Sequence, residues 1–200
     1  MKTFKLFLSA LFAGMAIGIG GTVFLSVNNS VVGAVLFAVG LYAICAHGLH
    51  LFTGKVGYVI DEGPGYIAPL AVIWVGNYAG TALTALAVRA SRIAAIAERA
   101  SSMCAVKLGD SLLSLLVLAV FCGLLMFIAV DGYKRTKHPL ILLMCVSAFI
   151  LCSFEHCIAD MFYFSLAGVF TTGALLRLAV ITLGNGIGGV LIPLLRRLPD

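Results

Sequence analysis

Apolar residues in this chain gather into six long blocks; they neither alternate with polar residues nor stripe a single helical face. The blocks cover residues 6–27, 31–60, 67–88, 112–130, 140–168 and 173–195. A helix needs ~20 consecutive apolar residues to cross the hydrocarbon core of a bilayer, so each block predicts a membrane span. Polar punctuation between them is short, as at Asn28, Asn29 and Ser30 or at Asp61, Glu62 and Gly63. Only residues 89–110 form a long connection, carrying Arg92, Glu98, Arg99 and Lys107. The second and fifth blocks exceed one crossing and are interrupted by polar groups, at residues 47–55 and 153–160. Irregular backbone at membrane depth persists only where protein or a water-filled cavity satisfies its N–H and C=O groups. These two blocks therefore predict broken helices that meet near the midplane.

A repeat relates the third and sixth blocks. Residues 72–80 read V-I-W-V-G-N-Y-A-G and residues 180–188 read V-I-T-L-G-N-G-I-G. Both copies fall in the last span of a three-span half, and an odd number of spans per half inverts one half relative to the other. The expected organisation is a single transmembrane domain, 1–200, of two inverted halves at about 1–90 and 107–200. Gly76, Gly80, Gly184 and Gly188 are read as close-packing positions between helices.

Composition strengthens the membrane reading: 62% of residues are hydrophobic and 10% are charged, with mean hydropathy +1.14. No soluble domain of this size could hide that much apolar surface. The net charge of +5 is no nucleic-acid footprint, because aromatic-interleaved basic patches are absent and most Lys and Arg sit between apolar blocks or at the ends. With the first residue inside, Lys2, Lys5, Lys134, Arg135, Lys137, Arg196 and Arg197 face inward. Arg89, Arg92, Arg99, Lys107 and Arg177 then face outward. That bias predicts cytoplasmic termini. The opening resembles a signal peptide, but no small-residue cleavage site follows, so a retained first helix is expected. The six cysteines form no CxxC pair, and the five that lie in apolar runs read as small hydrophobes. No phosphate-cradling loop or nucleophile–base motif appears, so no enzyme is expected.

The sharpest chemical signal is the cluster Glu155, His156 and Asp160 within the fifth block. Burying such groups at bilayer depth costs roughly 2.5–3.5 kcal/mol per charge on insertion scales, so they mark a cavity, a pairing or a proton pathway. His156 titrates near neutral pH and is read as a proton donor that could neutralise an anion in a dry site. Glu155 is read as a structural acceptor of loop N–H bonds. His47 and His50, with Cys45 or Cys157, offer a weaker alternative, a metal or redox site; no outer ligand partners are evident, and no metal or cofactor is predicted.

These motifs together resemble the formate/nitrite transporter family. The resemblance rests on residues 51–54 (L-F-T-G), residues 154–156 (F-E-H) with Ala159, Met161 and Phe162, and the two G-N motifs. Ala13 to Gly21 is similar to the family's first span. It implies an all-α, aquaporin-like six-helix protomer with two broken helices, assembled as a homopentamer in the cytoplasmic membrane. Carried over, His156 matches the central pore histidine and Thr53 its partner on the facing loop. Phe37, Leu41 and Phe149 match an outer constriction, Leu51 and Phe52 an inner one, and Lys107 a vestibule lysine that attracts anions. The family usually has Glu at His50, Asn at Lys55, Asn at Asp160 and a polar residue at Gly123. The segment that relatives carry ahead of the first span is nearly absent. Lys55 and Asp160 are read either as a compensating ion pair or as separate groups, Lys55 at the inner interface and Asp160 in an outer vestibule. The expected function is passage of small monovalent weak-acid anions such as formate, nitrite or hydrosulfide. Alternatives are a pore for a neutral or cationic solute such as urea or ammonium, and the non-transporting metal or redox protein.

Overall fold

The computed structural model describes residues 2–199, and the described residues form helices joined by short turns. In chain order these are α1 (Lys2–Ser26), α2 (Ser30–Ala46), α3 (Phe52–Lys55), α4 (Val59–Glu62), α5 (Ile67–Arg89), α6 (Ala97–Gly109), α7 (Leu112–Thr136), α8 (Leu140–Leu151), α9 (Cys157–Ala167) and α10 (Thr172–Leu195). Lys2–Ser26, Pro64–Arg89, Leu112–Thr136 and Thr172–Leu195 are long and apolar enough to cross a membrane. Polar caps fix where the helices start. Asn29 accepts from the Val32 N–H at 3.0 Å, Ser111 from Ser114 at 3.1 Å and Thr171 from Ala174 at 3.2 Å.

The two overlong blocks do not run through as helix. After α2 the chain turns at Gly48 (φ 64), and the Leu49 N–H reaches back to the Ile44 carbonyl at 2.9 Å. After α8 the same turn recurs at Ser153 (φ 54), with the Phe154 N–H on the Phe149 carbonyl at 2.8 Å. This left-handed closure satisfies carbonyls that a helix end leaves open. Glycine adopts it freely; for Ser153 it costs on the order of 1 kcal/mol.

The long connection 89–110, for which no element was predicted, contains helix α6 over most of its second half. Ala100 and Cys104, one turn apart, are both buried. That single narrow stripe, in a segment otherwise rich in Ser and charge, is too weak to stand out from sequence.

Helix α1 packs along α5, and α7 along α10. Both contacts run over glycine. A Cβ on Gly76 would lie 2.7 Å from the Ala10 Cβ, and one on Gly184 would lie 2.5 Å from the Ala119 Cβ. One turn on, Gly80 faces the Leu11 carbonyl and Gly188 the Val120 carbonyl. The packing role read for these four glycines is the one they have. Every residue of α9 from Cys157 to Leu166 is buried, which puts this helix at the centre of the molecule. Outward faces are apolar, as at Leu113 (71% exposed) and Leu86 (63%), the surface expected of a lipid-facing protein.

Candidate functional site

The repeated asparagines hold the two loops, a role that the sequence reading did not assign to them. Asn77 on α5 accepts from the Phe52 N–H at 2.8 Å and donates to the carbonyls of Ala10 at 2.7 Å and His50 at 2.9 Å. Asn185 on α10 accepts from the Cys157 N–H at 2.8 Å and donates to the carbonyls of Ala119 and Glu155, both at 2.8 Å. Each side chain is fully buried and satisfies the first N–H of the helix that follows the loop. A buried Asn repeated in two apolar blocks was the available signal; the flanking glycines drew the attention instead.

The loop held by Asn185 delivers His156 to the N-cap of α9. The ring Nδ1 accepts from the Ala159 N–H at 3.1 Å, and Nε2 lies 2.8 Å from the Thr53 hydroxyl on α3. An N–H cannot donate to another N–H, so Nδ1 is the bare nitrogen and the proton sits on Nε2. Thr53 therefore accepts from Nε2–H and keeps its own hydroxyl proton to donate. Phe149 stacks on the imidazole at 5.6 Å between ring centroids, and Phe37 meets Phe149 edge-on at 5.9 Å. Leu41 and Leu51 are buried nearly completely, and Phe52 is 8% exposed.

Two cavities open from opposite ends of the helices toward this pair. The first, about 500 Å³, lies at the α6 end and is lined by Phe149, Glu155, His156, Asp160, Lys107 and Arg99, among others. The second, about 250 Å³, lies at the end where α2 and α7 finish, and its lining includes Leu51, Gly54, Lys55, Lys134 and Lys137. His156 lines one cavity, and its partner Thr53 sits between Leu51 and Gly54 of the other. The His156–Thr53 hydrogen bond thus links a residue lining the first cavity to the helix whose neighbouring residues line the second.

Several expected placements change. Lys107, expected as a vestibule lysine, does line the first cavity, but its side chain is only 11% exposed and its ammonium is clamped between Glu155 and Asp160, the latter at 2.9 Å. Asp160 thus pairs with Lys107, and Lys55 lies over the Tyr58 ring at 5.8 Å. The Lys55–Asp160 ion pair is not formed, because the two residues line opposite cavities. Glu155 receives no loop N–H on its carboxylate; the loop is held by Asn185, and the Glu155 carboxylate is taken by Lys107. His50 bonds Ser9 through Nδ1 at 2.8 Å and lines neither cavity. Among the described residues, no group of three His, Cys, Asp or Glu side chains converges as a metal site would require. Arginines at the α6 end cap helix C-termini. Arg89 donates to the Leu166 carbonyl at 3.0 Å, Arg99 to Leu25 and Val27, and Arg177 to Lys107 at 2.9 Å.

Comparison with known proteins gives the chain its family. Residues 1–197 match the family model described as formate/nitrite transporter. No curated protein sequence matches the chain. Among solved structures, a pentameric formate channel with formate bound superposes with a TM-score of 0.83 at 22% identity, covering 98% of this chain and 96% of that one. An FNT family ion channel superposes with a TM-score of 0.85 at 23% identity, covering 98% and 91%. At such identities the two structures establish the shared fold, and the match over nearly the whole length establishes more. The chain belongs to the formate/nitrite transporter family.

Proposed function

We propose that this protein is a transmembrane channel or transporter for small monovalent weak-acid anions, of the formate, nitrite or hydrosulfide type. In this reading the protomer is aquaporin-like, with six spans in two inverted halves, about 1–90 and 107–200, and two broken helices at its centre. Five copies assemble with one path each, in the cytoplasmic membrane with both termini inside. The pentameric formate channel supports the assembly by fold. The observation that carries the proposal is the pair of cavities from opposite ends, bridged by the buried His156–Thr53 hydrogen bond.

The mechanism follows from the chemistry of that bridge. Phe37, Leu41 and Phe149 on one side and Leu51 and Phe52 on the other form apolar necks, where a hydrated ion loses its water at high cost. The Thr53 hydroxyl, whose own proton is free, supplies one donor to a small anion that has shed its water, and His156 Nε2–H becomes a second donor when it leaves Thr53 for the anion. Transfer of a proton to that anion draws on the imidazolium form. In that form Nδ1 also carries hydrogen and releases the Ala159 N–H, so acid loading of His156 uncaps α9. Lys107 gives the outer cavity one ammonium, shared by two carboxylates.

A second reading, a neutral or cationic solute such as urea or ammonium, is favoured by one observation. Asp160 Oδ2 is buried without a hydrogen-bond partner beside that cavity. Flux in proteoliposomes with formate, nitrite, hydrosulfide, urea and ammonium separates the readings. Acid-stimulated passage of the weak-acid anions is expected, and passage of urea or ammonium alone would replace the first reading with the second.

A further inference from the structure

The cavity at the Lys134 end carries charge that its surroundings do not balance. Lys55, Lys134 and Lys137 line its roughly 250 Å³, and among the described residues no Asp or Glu does. None of the three lysines forms an ion pair among those residues. The acid beside them in sequence is already engaged. Asp131 accepts from Arg135 at 2.8 Å, Arg196 at 2.7 Å and the Tyr58 hydroxyl at 3.2 Å. The ammonium groups rest instead on aromatic faces. Lys55 Nζ lies 5.8 Å and Lys134 Nζ 4.8 Å from the centre of the same Tyr58 ring, and Lys137 Nζ lies 5.9 Å from that of Tyr133. Lys137 holds a left-handed backbone (φ 57), uncommon for a long side chain, at the turn that leaves α7. Two like charges over one ring repel each other, and a cation–π contact of roughly 0.5–1 kcal/mol at an exposed site does not remove that repulsion.

We propose that this cup binds a tetrahedral oxyanion of the phosphate class. Each ammonium brings three donors and no acceptor, and three of them around one cavity suit an anion with several acceptor oxygens and more than one negative charge. A cavity of about 250 Å³ holds such an anion with several waters, at roughly 30 Å³ per water. Three cations exceed what a monovalent solute can balance, so the cup is a separate site from the His156–Thr53 bridge. Its wall includes Leu51 and Gly54, which flank Phe52 and Thr53. A bound oxyanion therefore stands in the mouth of the proposed path and obstructs it. That consequence rests on the function proposed above; the binding does not. The oxyanion has two sources, free phosphate and the headgroup of an anionic lipid.

The test is titration of the full-length protein in phosphatidylcholine nanodiscs with inorganic phosphate, followed by phosphorus NMR line broadening. The expected result is saturable binding that weakens as salt screens the lysines, and at least tenfold weaker binding in Lys55→Asn/Lys134→Gln. Lys137→Gln alone should weaken it severalfold, which keeps the result readable if the double variant folds poorly. Saturable capture of phosphatidic acid, added to the discs in place of phosphate and lost in the same variants, identifies the lipid as the source. Absence of saturable binding by both probes, or binding unchanged in the variants, overturns the proposal. Proteoliposome flux then tests the dependent step. Phosphate supplied to the Lys134 side should inhibit, and binding without inhibition would uphold the cup while overturning the path through it.

Discussion

The loop after α2 and the loop after α8 leave their helices by the same left-handed turn, and each is fastened by one buried asparagine. They differ in what they display. One carries His50, turned to Ser9, and Leu51, which lines the second cavity. The other carries Glu155 and His156, and both side chains take up fixed polar partners. The backbone solution is thus duplicated, while the chemistry sits almost entirely on one copy. Thr53 is the contribution of the first loop's helix to that chemistry. Scaffolding of the loops and chemistry of the site are therefore separable by mutation.

The largest effect should come from the asparagines. Asn185→Leu orphans the Cys157 N–H and the Glu155 carbonyl and removes a second bond to the Ala119 carbonyl, and each buried unpaired group costs on the order of 1–3 kcal/mol. Asn77→Leu orphans an equal set, so both variants should lose the folded protein in detergent melting experiments. If Asn77→Leu melted like the parent, the duplication would be one of appearance only.

Lys107→Met leaves Glu155 and Asp160 buried without their cation, a loss of roughly 3–5 kcal/mol. Adding Glu155→Gln and Asp160→Asn should restore most of it. At the opposite mouth Lys55→Met should leave the melting temperature nearly unchanged, because Lys55 forms no ion pair there. Equal destabilisation at the two mouths would contradict the contrast between a clamped lysine and unpaired ones.

His156→Asn sharpens the comparison without breaking the fold. Asparagine is a good N-cap, so its amide oxygen can still accept the Ala159 N–H, and stability should move by less than about 1 kcal/mol. The acid-dependent part of solute flux should disappear with the titratable ring. Flux that keeps its pH profile would mean that protonation takes place in bulk water and that His156 only positions the loop.

The smallest effect concerns the turns themselves. Ser153→Gly should raise stability by up to about 1 kcal/mol, and Gly48→Ala should lower it by about the same amount. Nothing lies within 4 Å of a Cβ built on Gly48, so only the backbone strain would be measured there. Thermal melting of the two variants side by side reads the pair.

Sequence alone located the apolar blocks, the two interruptions and the Glu155–His156 cluster, because each is a local contrast between polarity and its surroundings. It could not place Lys107. That residue is brought beneath Asp160 by α6, a helix whose buried face is only Ala100 and Cys104. The pairing of Asp160 was open for the same reason, since charge complementarity selects a sign and not a position in space. Arg89, Arg99 and Arg177, read simply as topological charges, proved to be helix caps, a role that depends on which helix ends nearby. Asn77 and Asn185 were legible as a repeat but not as anchors, because their partners are backbone atoms and carry no residue identity.

The order of synthesis gives the two asparagines a further consequence. Phe52 precedes Asn77 by 25 residues, and Cys157 precedes Asn185 by 28. Each loop thus emerges from the ribosome before the side chain that satisfies its peptide groups. A loop left alone in lipid would hold unsatisfied N–H and C=O groups at several kcal/mol each. Residues 47–55 and 152–160 therefore need shelter until α5 and α10, respectively, follow them out. The natural units of insertion are the interrupted segment together with its succeeding helix, so truncation between the two should leave a chain that the membrane rejects.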